Sequence, residues 1–552
     1  MMIDLRPSLT SHLAQRLGAL QDGFRHNLAV LGPVGSGKST LLHEALQISN
    51  PNLIKISCTL QRDSAREFVK RFATAVLRAC LEAPSEAPLE VLLEQSAAVV
   101  PKTTAAIHQL ERYTMGHVQT EAFTHALDLI PVVHEELKRP CVLVLDEFLH
   151  LEDLGSSYAF HELGKRVMTW PFTLFLVTSS STFRARQILR ERLHLLFGQF
   201  ELISLGAVEL PAASTWMQQE FPGVSHLTPL GRFLLHWIGA FPWYLSVLLK
   251  RMNELTRLRH SRGVTDLPAS PARLSHLPGR ARREAQAGAV MFPAAWDVLG
   301  SPDGVLYQWC AAQMERIVQQ RQGPVARDAL IAIACGARTT QAITQRCGTR
   351  RNLSSPLQLL VEHDLIQRKG GCWIIPDPLL SCWLSAVLGP RQRAGSLDRR
   401  MASQIFEQTL KAIWAQWVEE AGQPLAERIR RLLSQFRNET VSLDHKTGRL
   451  AAFEALRTQR PSLGQETYLV ADGAGRRWCC LIHEGKLEEA GIMAFEQFCR
   501  AQSPKPSRKV VVAKDGLELS AKLLAKEVNM WVWEPEDVHL LFLLYGQPPL
   551  AR

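Results

Sequence analysis

The residues with the clearest chemical purpose are Gly32, Pro33, Val34, Gly35, Ser36, Gly37, Lys38 and Ser39, followed by Thr40. They fit the pattern G-x-x-x-x-G-K-[ST] throughout, and the chemistry of that pattern is phosphate binding. Glycines at 32, 35 and 37 let the backbone wrap around an anion with its N–H groups turned inward, and a helix starting at the end of the loop adds its partial positive charge. Lys38 is expected on the β- and γ-phosphates and Ser39 on Mg²⁺. A hydrolysing site also needs a carboxylate on a neighbouring strand. "PCVLVLDEFLHL" supplies Asp146 to hold the metal with Ser39, and Glu147 to polarise the attacking water. The bland alternative is that Asp146 and Glu147 cap the following helix. In "FTLFLVTSSS", Ser179 is the candidate sensor of the γ-phosphate; a plain strand-to-turn serine run is the competing reading. ATP is the expected nucleotide. A guanine-reading N-K-x-D motif is absent from the sequence, as is the LSGGQ signature of transport ATPases.

These residues require positioning elements. Asn27 to Leu31 is a short apolar run suited to a buried strand, and Thr40 to Leu46 reads as the first turns of a helix. Cys141 to Leu145 is continuously apolar, as a parallel strand covered on both faces should be, and it delivers Asp146 and Glu147 to its carboxyl end. "NLIKISC" reads as another strand. Asp63 or Ser64 opens a long amphipathic helix, and "EAFTHALDLIPVVHEELKR" reads as a helix interrupted at Pro131. The expected fold class is α/β. A P-loop NTPase sheet over 1–205 is followed by a helical lid over 206–255, with a break at Gly239 to Pro242.

Residues 256–320 read as a basic linker with connector helices. Arg257, Arg259, Arg262, Arg280, Arg282 and Arg283 make its first part the most basic stretch, read first as solvated and second as a nucleic-acid contact. Over 321–390 the pattern becomes three helices and a hairpin around Gly370 and Gly371, the outline of a winged helix-turn-helix. Arg350, Arg351, Asn352 and Gln358 fall on its reading side, with Arg368 and Lys369 at the wing. Residues 391–552 read as a helical run to Phe436 and then a C-terminal α/β domain.

The chain has 552 residues, a net charge of +10 and eleven scattered cysteines without a C-x-x-C pair. That length holds several domains, and the cysteines argue for reduced thiols over a disulfide frame or structural zinc. No apolar run reaches the roughly 18 residues needed to span a bilayer, and the first residues lack a signal-peptide core. The expectation is a cytoplasmic protein without a membrane partner. The positive charge permits an anionic partner such as DNA.

The order of parts resembles the prokaryotic predicted ATPases of the archaeal type, within the AAA+ group that includes replication-initiator and STAND signalling ATPases. The residues that carry the likeness are "GPVGSGKST", "LVLDEFLHL", "LFLVTSSS", "LHLLFGQFELISL", "IGAFPWYLSVLL" and "GCWIIPDPLLSCWL". The resemblance implies an ATPase whose nucleotide state regulates an interaction with DNA or a protein partner, self-assembly included. Where the family usually has an arginine, this chain has Gln199, with Arg184, Arg186, Arg190 and Arg192 as nearby substitutes. That departure keeps a slow-turnover signalling switch open as an alternative. Relatives often end in a restriction-endonuclease-like domain, which would place a D…(D/E)-x-K site on Asp472, Glu484 and Lys486 and make an ATP-gated nuclease the third alternative. Gly485 sits where a strand favours a bulkier residue, so an inert tail is the favoured reading.

Overall fold

The computed structural model describes residues 4–62, 64–84, 86–114, 122–154, 158–191, 200–222, 224, 228–262, 279–348, 352–390, 398–443, 446–459, 466–473 and 475–548. They form two compact units. The first holds residues 1–220, 240–246 and 362–364, and the second holds 221–239, 247–361 and 365–552. The stretch 206–255 is thus shared between the two.

The first unit is a P-loop NTPase fold. Its strands are β1 (Asn27–Leu31), β2 (Ile54–Thr59), β3 (Cys141–Asp146), β4 (Thr173–Ser179) and β5 (Phe200–Ser204), all parallel in the order β2-β3-β4-β1-β5. Alternation within each strand sends side chains to two cores. Ala29, Leu31, Leu143, Leu145 and Val177 face the helices Ala65–Leu81 and Leu129–Leu137. Leu28, Val30, Val142, Val144 and Leu176 face Pro7–Gly18 and Lys38–Ile48. The central strands are covered on both faces, which is why β1, β3 and β4 read as continuous apolar runs, while the edge strands β2 and β5 are partly exposed. Ser64 opens Ala65–Leu81 with a capping box to Glu67; Asp63 lies outside the described residues. The helical run around Pro131 breaks earlier than expected, into Ala122–Leu127 and Leu129–Leu137.

Helix Pro229–Trp237 and the part of helix Pro242–Arg262 from Val247 on belong to the second unit, and in the expected break Gly239 takes φ +74°. The arginine-rich stretch departs from the linker reading. Arg257, Arg259 and Arg262 continue the helix to Arg262, and Arg280, Arg282 and Arg283 lie in Gly279–Ala295. Arginine is a good helix former, and most of the Pro, Gly and Ser that set the linker reading fall between these two helices, at 263–278. Helices Gly323–Ala334, Thr340–Cys347 and Ser354–Glu362 precede a hairpin of β6 (Gln367–Lys369) and β7 (Cys372–Ile374), the element order of a winged helix-turn-helix.

The C-terminal part carries a hairpin of β8 (Glu439–Leu443) and β9 (Lys446–Leu450), followed by a sheet of β10 (Ala455–Gln459), β11 (Glu466–Gly473), β12 (Arg476–His483), β13 (Arg508–Ala513) and β14 (Trp531–Trp533). β10 to β12 are antiparallel, and β12 to β14 are parallel. Its two faces are buried separately. Val510 and Val512 pack toward Leu425–Ser434 and Pro535–Leu544, and Val511 and Ala513 pack toward Glu489–Ala501 and Leu519–Glu527.

His236 sits beside Trp417, with ring centroids 6.4 Å apart. Burial, with the nearby charges of His539 and Arg428, pushes its pKa down to about 4. Unfolded chain takes up a proton near pH 6.5 where the folded site does not, so stability should fall as pH drops from about 6.5 to 4. A loss of about 2 kcal/mol is expected, allowing for the part of the ring that water reaches. Denaturant titrations of His236→Gln across that window should show a flatter acid slope; an unchanged slope would contradict the assignment.

All eleven cysteines are free thiols, and no helix among the described residues is long and apolar enough to cross a membrane.

Candidate functional site

β1 runs between β4 and β5, and the loop that leaves it is tied to both: Gly32 N–H donates to Ser179 O at 3.1 Å, and Leu205 N–H to Leu31 O at 2.6 Å. A Cβ on Gly32 would lie 2.5 Å from Leu205 O, so only glycine passes there. Gly35 and Gly37 take φ of +78° and +89°, the left-handed region open to glycine. Trp243 packs on the loop: a Cβ on Gly35 would lie 2.8 Å from the Trp243 Cβ, and Trp243 N–H donates to Gly35 O at 3.4 Å. Arg6 adds a guanidinium contact to Ser36 O at 3.3 Å.

The helix Lys38–Ile48 begins directly from Gly37, and its first turn carries amide groups with no partner inside the helix. Val34, Ser39 and Thr40 are exposed, Pro33 is half-buried, and Ser36 is fully buried with its Oγ lacking a hydrogen-bond partner. An orphaned hydroxyl inside a glycine cradle at a helix start fits a phosphate chain, and Ser39 stands open to a metal on it.

Lys38 is 7% exposed and turned onto the loop itself, donating to Gly32 O at 2.8 Å and Pro33 O at 3.3 Å. Its Nζ also lies 3.6 Å from Glu147 Oε1. Burial lowers the Lys38 pKa, opposed by Glu147 and Asp146.

The carboxylates come from β3 and are organised by β4. The Thr178 hydroxyl donates to Asp146 Oδ1 and accepts from Glu147 N–H at 3.0 Å. Thr59, on β2, reaches Asp146 Oδ2 at 3.5 Å. Glu147 takes φ +55°, a left-handed backbone uncommon for a side chain of its size, costing on the order of 1 kcal/mol. Its Oε2 accepts from both Ser180 N–H at 2.8 Å and Ser180 Oγ at 3.0 Å. Ser179 is fully buried, and its hydroxyl bonds locally with Ser181, donating to Ser181 O at 3.2 Å. Asp364, in the same unit, accepts from Phe183 N–H at 2.9 Å at the start of the helix Thr182–Glu191, and burial raises its pKa.

Lys38, Ser39, Asp146, Glu147 and Ser179 therefore lie at or just beyond the carboxyl ends of β1, β3 and β4, the three central strands of one sheet. Thr178, Ser180, Trp243, Arg6 and Asp364 escaped sequence reasoning. Only the hydroxyl-rich "TSSS" run signalled the first two, and the others are remote in the chain.

Of the arginines near Gln199, Arg184 pairs with Glu152 at 2.9 Å, Arg186 donates to Ser204 Oγ at 2.7 Å, and Arg190 pairs with Glu191 at 3.1 Å. Gln199 and Arg192 lie outside the described residues, as do Arg350 and Arg351. Asn352, just before the helix Ser354–Glu362, accepts at its Oδ1 from Ser354 N–H at 2.8 Å, and Gln358 is exposed. Arg368 and Lys369 are exposed, Arg368 lying over Trp373 at 5.9 Å. The turn between them and β7 is covered by β8: a Cβ on Gly370 would lie 2.8 Å from Val441 Cγ1, one on Gly371 2.6 Å from Thr440 O, and Ser442 N–H donates to Gly370 O at 3.1 Å.

The structure does not bring Asp472, Glu484 and Lys486 together. Asp472 pairs with Arg477 at 2.5 Å and Arg457 at 3.1 Å. β11 sets Asp472 opposite Arg477 and Glu466 opposite His483, so Asp472 and Glu484 lie at opposite ends of β12, roughly 20 Å apart along the strand. Glu484 accepts from Leu425 N–H at 2.8 Å, and Lys486 lies 3.9 Å from Glu518. Among the described residues, no group of three or more His, Cys, Asp or Glu gathers as metal ligands.

The AAA ATPase domain family matches residues 5–167, which makes this part of the chain similar to AAA ATPases. A comparison with curated proteins gives no match. Among solved structures, a Walker-type ATPase of Pyrococcus abyssi aligns at 15% identity and TM-score 0.45, covering 69% of this chain and 96% of that one. The ORC2 protein of Aeropyrum pernix, in ADPNP and ADP complexes, aligns at 13% identity and TM-score 0.39, covering 75% of this chain and 95% of that one. The ORC1 protein of Aeropyrum pernix in complex with DNA aligns at 13% identity and TM-score 0.34, covering 69% and 92%.

Proposed function

We propose that this protein binds and hydrolyses ATP in its first unit and uses the nucleotide state to regulate an interaction with DNA or a protein partner. The observation that carries the reading is the pairing of Lys38 with Glu147 across the loop and strand ends, 3.6 Å apart, next to the unpartnered Ser36 hydroxyl. Backbone N–H groups within 34–40 and Lys38 would bind the phosphates. Ser39 and Asp146 would hold Mg²⁺, which when bound screens phosphate charge and orients the transferred group. Glu147 Oε1 would take the proton of the attacking water.

DNA is the partner favoured by the three helices and hairpin at 323–374, which follow winged-helix order, with Arg368 and Lys369 exposed. The cover over Gly370 and Gly371 favours a second reading, a slow switch that holds nucleotide and acts on a protein partner or a second copy. Phosphate release by the full chain, with and without duplex DNA, separates the two. Turnover raised severalfold by DNA is the expected result. Tight ATP binding with negligible turnover at every DNA concentration would transfer the assignment to the switch.

A further inference from the structure

We infer that Ser180 is the positioning residue for Glu147, fixing which carboxylate oxygen is free to receive the proton of the attacking water. This inference rests on the reading of Glu147 as the base.

Three anchors hold Glu147. Its N–H is bonded to Thr178 Oγ1 at 3.0 Å, and its Oε2 receives two donors from one residue, Ser180 N–H at 2.8 Å and Ser180 Oγ at 3.0 Å. With Oε2 occupied, Oε1 is the oxygen left to face Lys38, at 3.6 Å. A phosphate chain in the loop offers Lys38 a stronger anionic partner, and its arrival leaves Oε1 unpaired at the edge where water must enter. A carboxylate with three rotatable side-chain bonds would otherwise spread over many orientations; two donors on one oxygen select one of them before substrate binds. The left-handed backbone at Glu147, φ +55°, makes the same point: a conformation this uncommon persists where surrounding bonds over-determine it.

Ser180→Ala removes the hydroxyl donor and keeps the N–H. It should lower kcat for ATP about tenfold, the effect of one charge-assisted hydrogen bond, while leaving the Kd for ATP within about twofold of wild type. Ser180→Thr, which keeps the hydroxyl, should recover most of the loss. In single-turnover reactions on a Glu147→Gln background, Ser180→Ala should cost nothing further, because Ser180 acts through Glu147. A general packing defect would weaken ATP binding and persist in that background. Unchanged kcat in Ser180→Ala, or an equal loss in both backgrounds, would overturn the inference while Glu147→Gln remains inactive. Wild-type turnover in Glu147→Gln would instead remove the assignment of the base itself.

Discussion

Glu147→Gln is expected to lower ATP turnover by about 10²- to 10⁴-fold, the range for loss of a positioned general base. The substitution preserves the side-chain shape and leaves an amide oxygen for the Ser180 N–H and hydroxyl, so the end of β4 should keep its arrangement. It removes the anion that lies 3.6 Å from Lys38 when no phosphate is present. Lys38 then keeps Gly32 O and Pro33 O as hydrogen-bond partners and Asp146 as a nearby anion, with one anion fewer competing with phosphate, so ATP should bind at least as tightly as to wild type. The signature is therefore a split: phosphate release nearly abolished in single-turnover reactions, and nucleotide affinity maintained in equilibrium titration. Weakened ATP binding accompanied by near-normal turnover would show that Glu147 organises the pocket and is not the base.

Lys38→Ala should act on both quantities. Lys38 is a nearly buried cation whose burial already opposes its charge, a cost that only phosphate contact repays in full. Removing it takes away the cation that would turn from Gly32 O and Pro33 O to the β- and γ-phosphates, expected to reduce turnover by about 10²- to 10³-fold. It also leaves Glu147 Oε1 facing incoming phosphate with no cation between them, so affinity should fall as well. The sharper measurement is the rise in melting temperature on adding ATP, since a ligand stabilises only the state it binds. Wild type should show a concentration-dependent rise and Lys38→Ala almost none. An undiminished rise in the variant would remove Lys38 from the binding site.

Much of this site was legible because its elements are local in sequence. The strand at 27–31, the glycine loop and the helix from Lys38 occupy one continuous stretch, and β3 ends on Asp146 and Glu147 within another. What was not legible depends on register. Thr178 and Ser180 matter because β4 lies beside β3, setting Leu145 opposite Val177, and a serine run carries no mark of which hydroxyl will meet which carboxylate. The left-handed backbone of Glu147 is hidden because glutamate carries none of the signal that glycine does. Trp243 reaches Gly35 from a segment some two hundred residues away. In the C-terminal part, β11 to β14 were visible as apolar runs, whereas β10 is mostly exposed and polar, and β8 and β9 are short strands whose side chains alternate with solvent. None of the three stands out as a strand beyond Phe436, since Val441 and Leu443 in β8 and Leu450 in β9 are too few apolar positions to set a period. The Asp472, Glu484 and Lys486 spacing matched a pattern in one dimension that an antiparallel pairing of β11 and β12 separates in three.

The hydrogen bonds tying the loop to both neighbours of β1 have a consequence for speed. Gly32 is fixed to the end of β4 and Leu31 to Leu205 beyond β5, so the cradle, Ser180 and the strand that carries Glu147 form one stationary frame. What must move when substrate arrives is the Lys38 side chain, and side-chain rotamer changes take picoseconds to nanoseconds where sheet or domain rearrangements take microseconds to milliseconds. The expected result in stopped-flow mixing is therefore an ATP association rate near the diffusion range, with the slow steps falling after the phosphates are in place; a slow first-order phase limiting association would contradict a stationary frame.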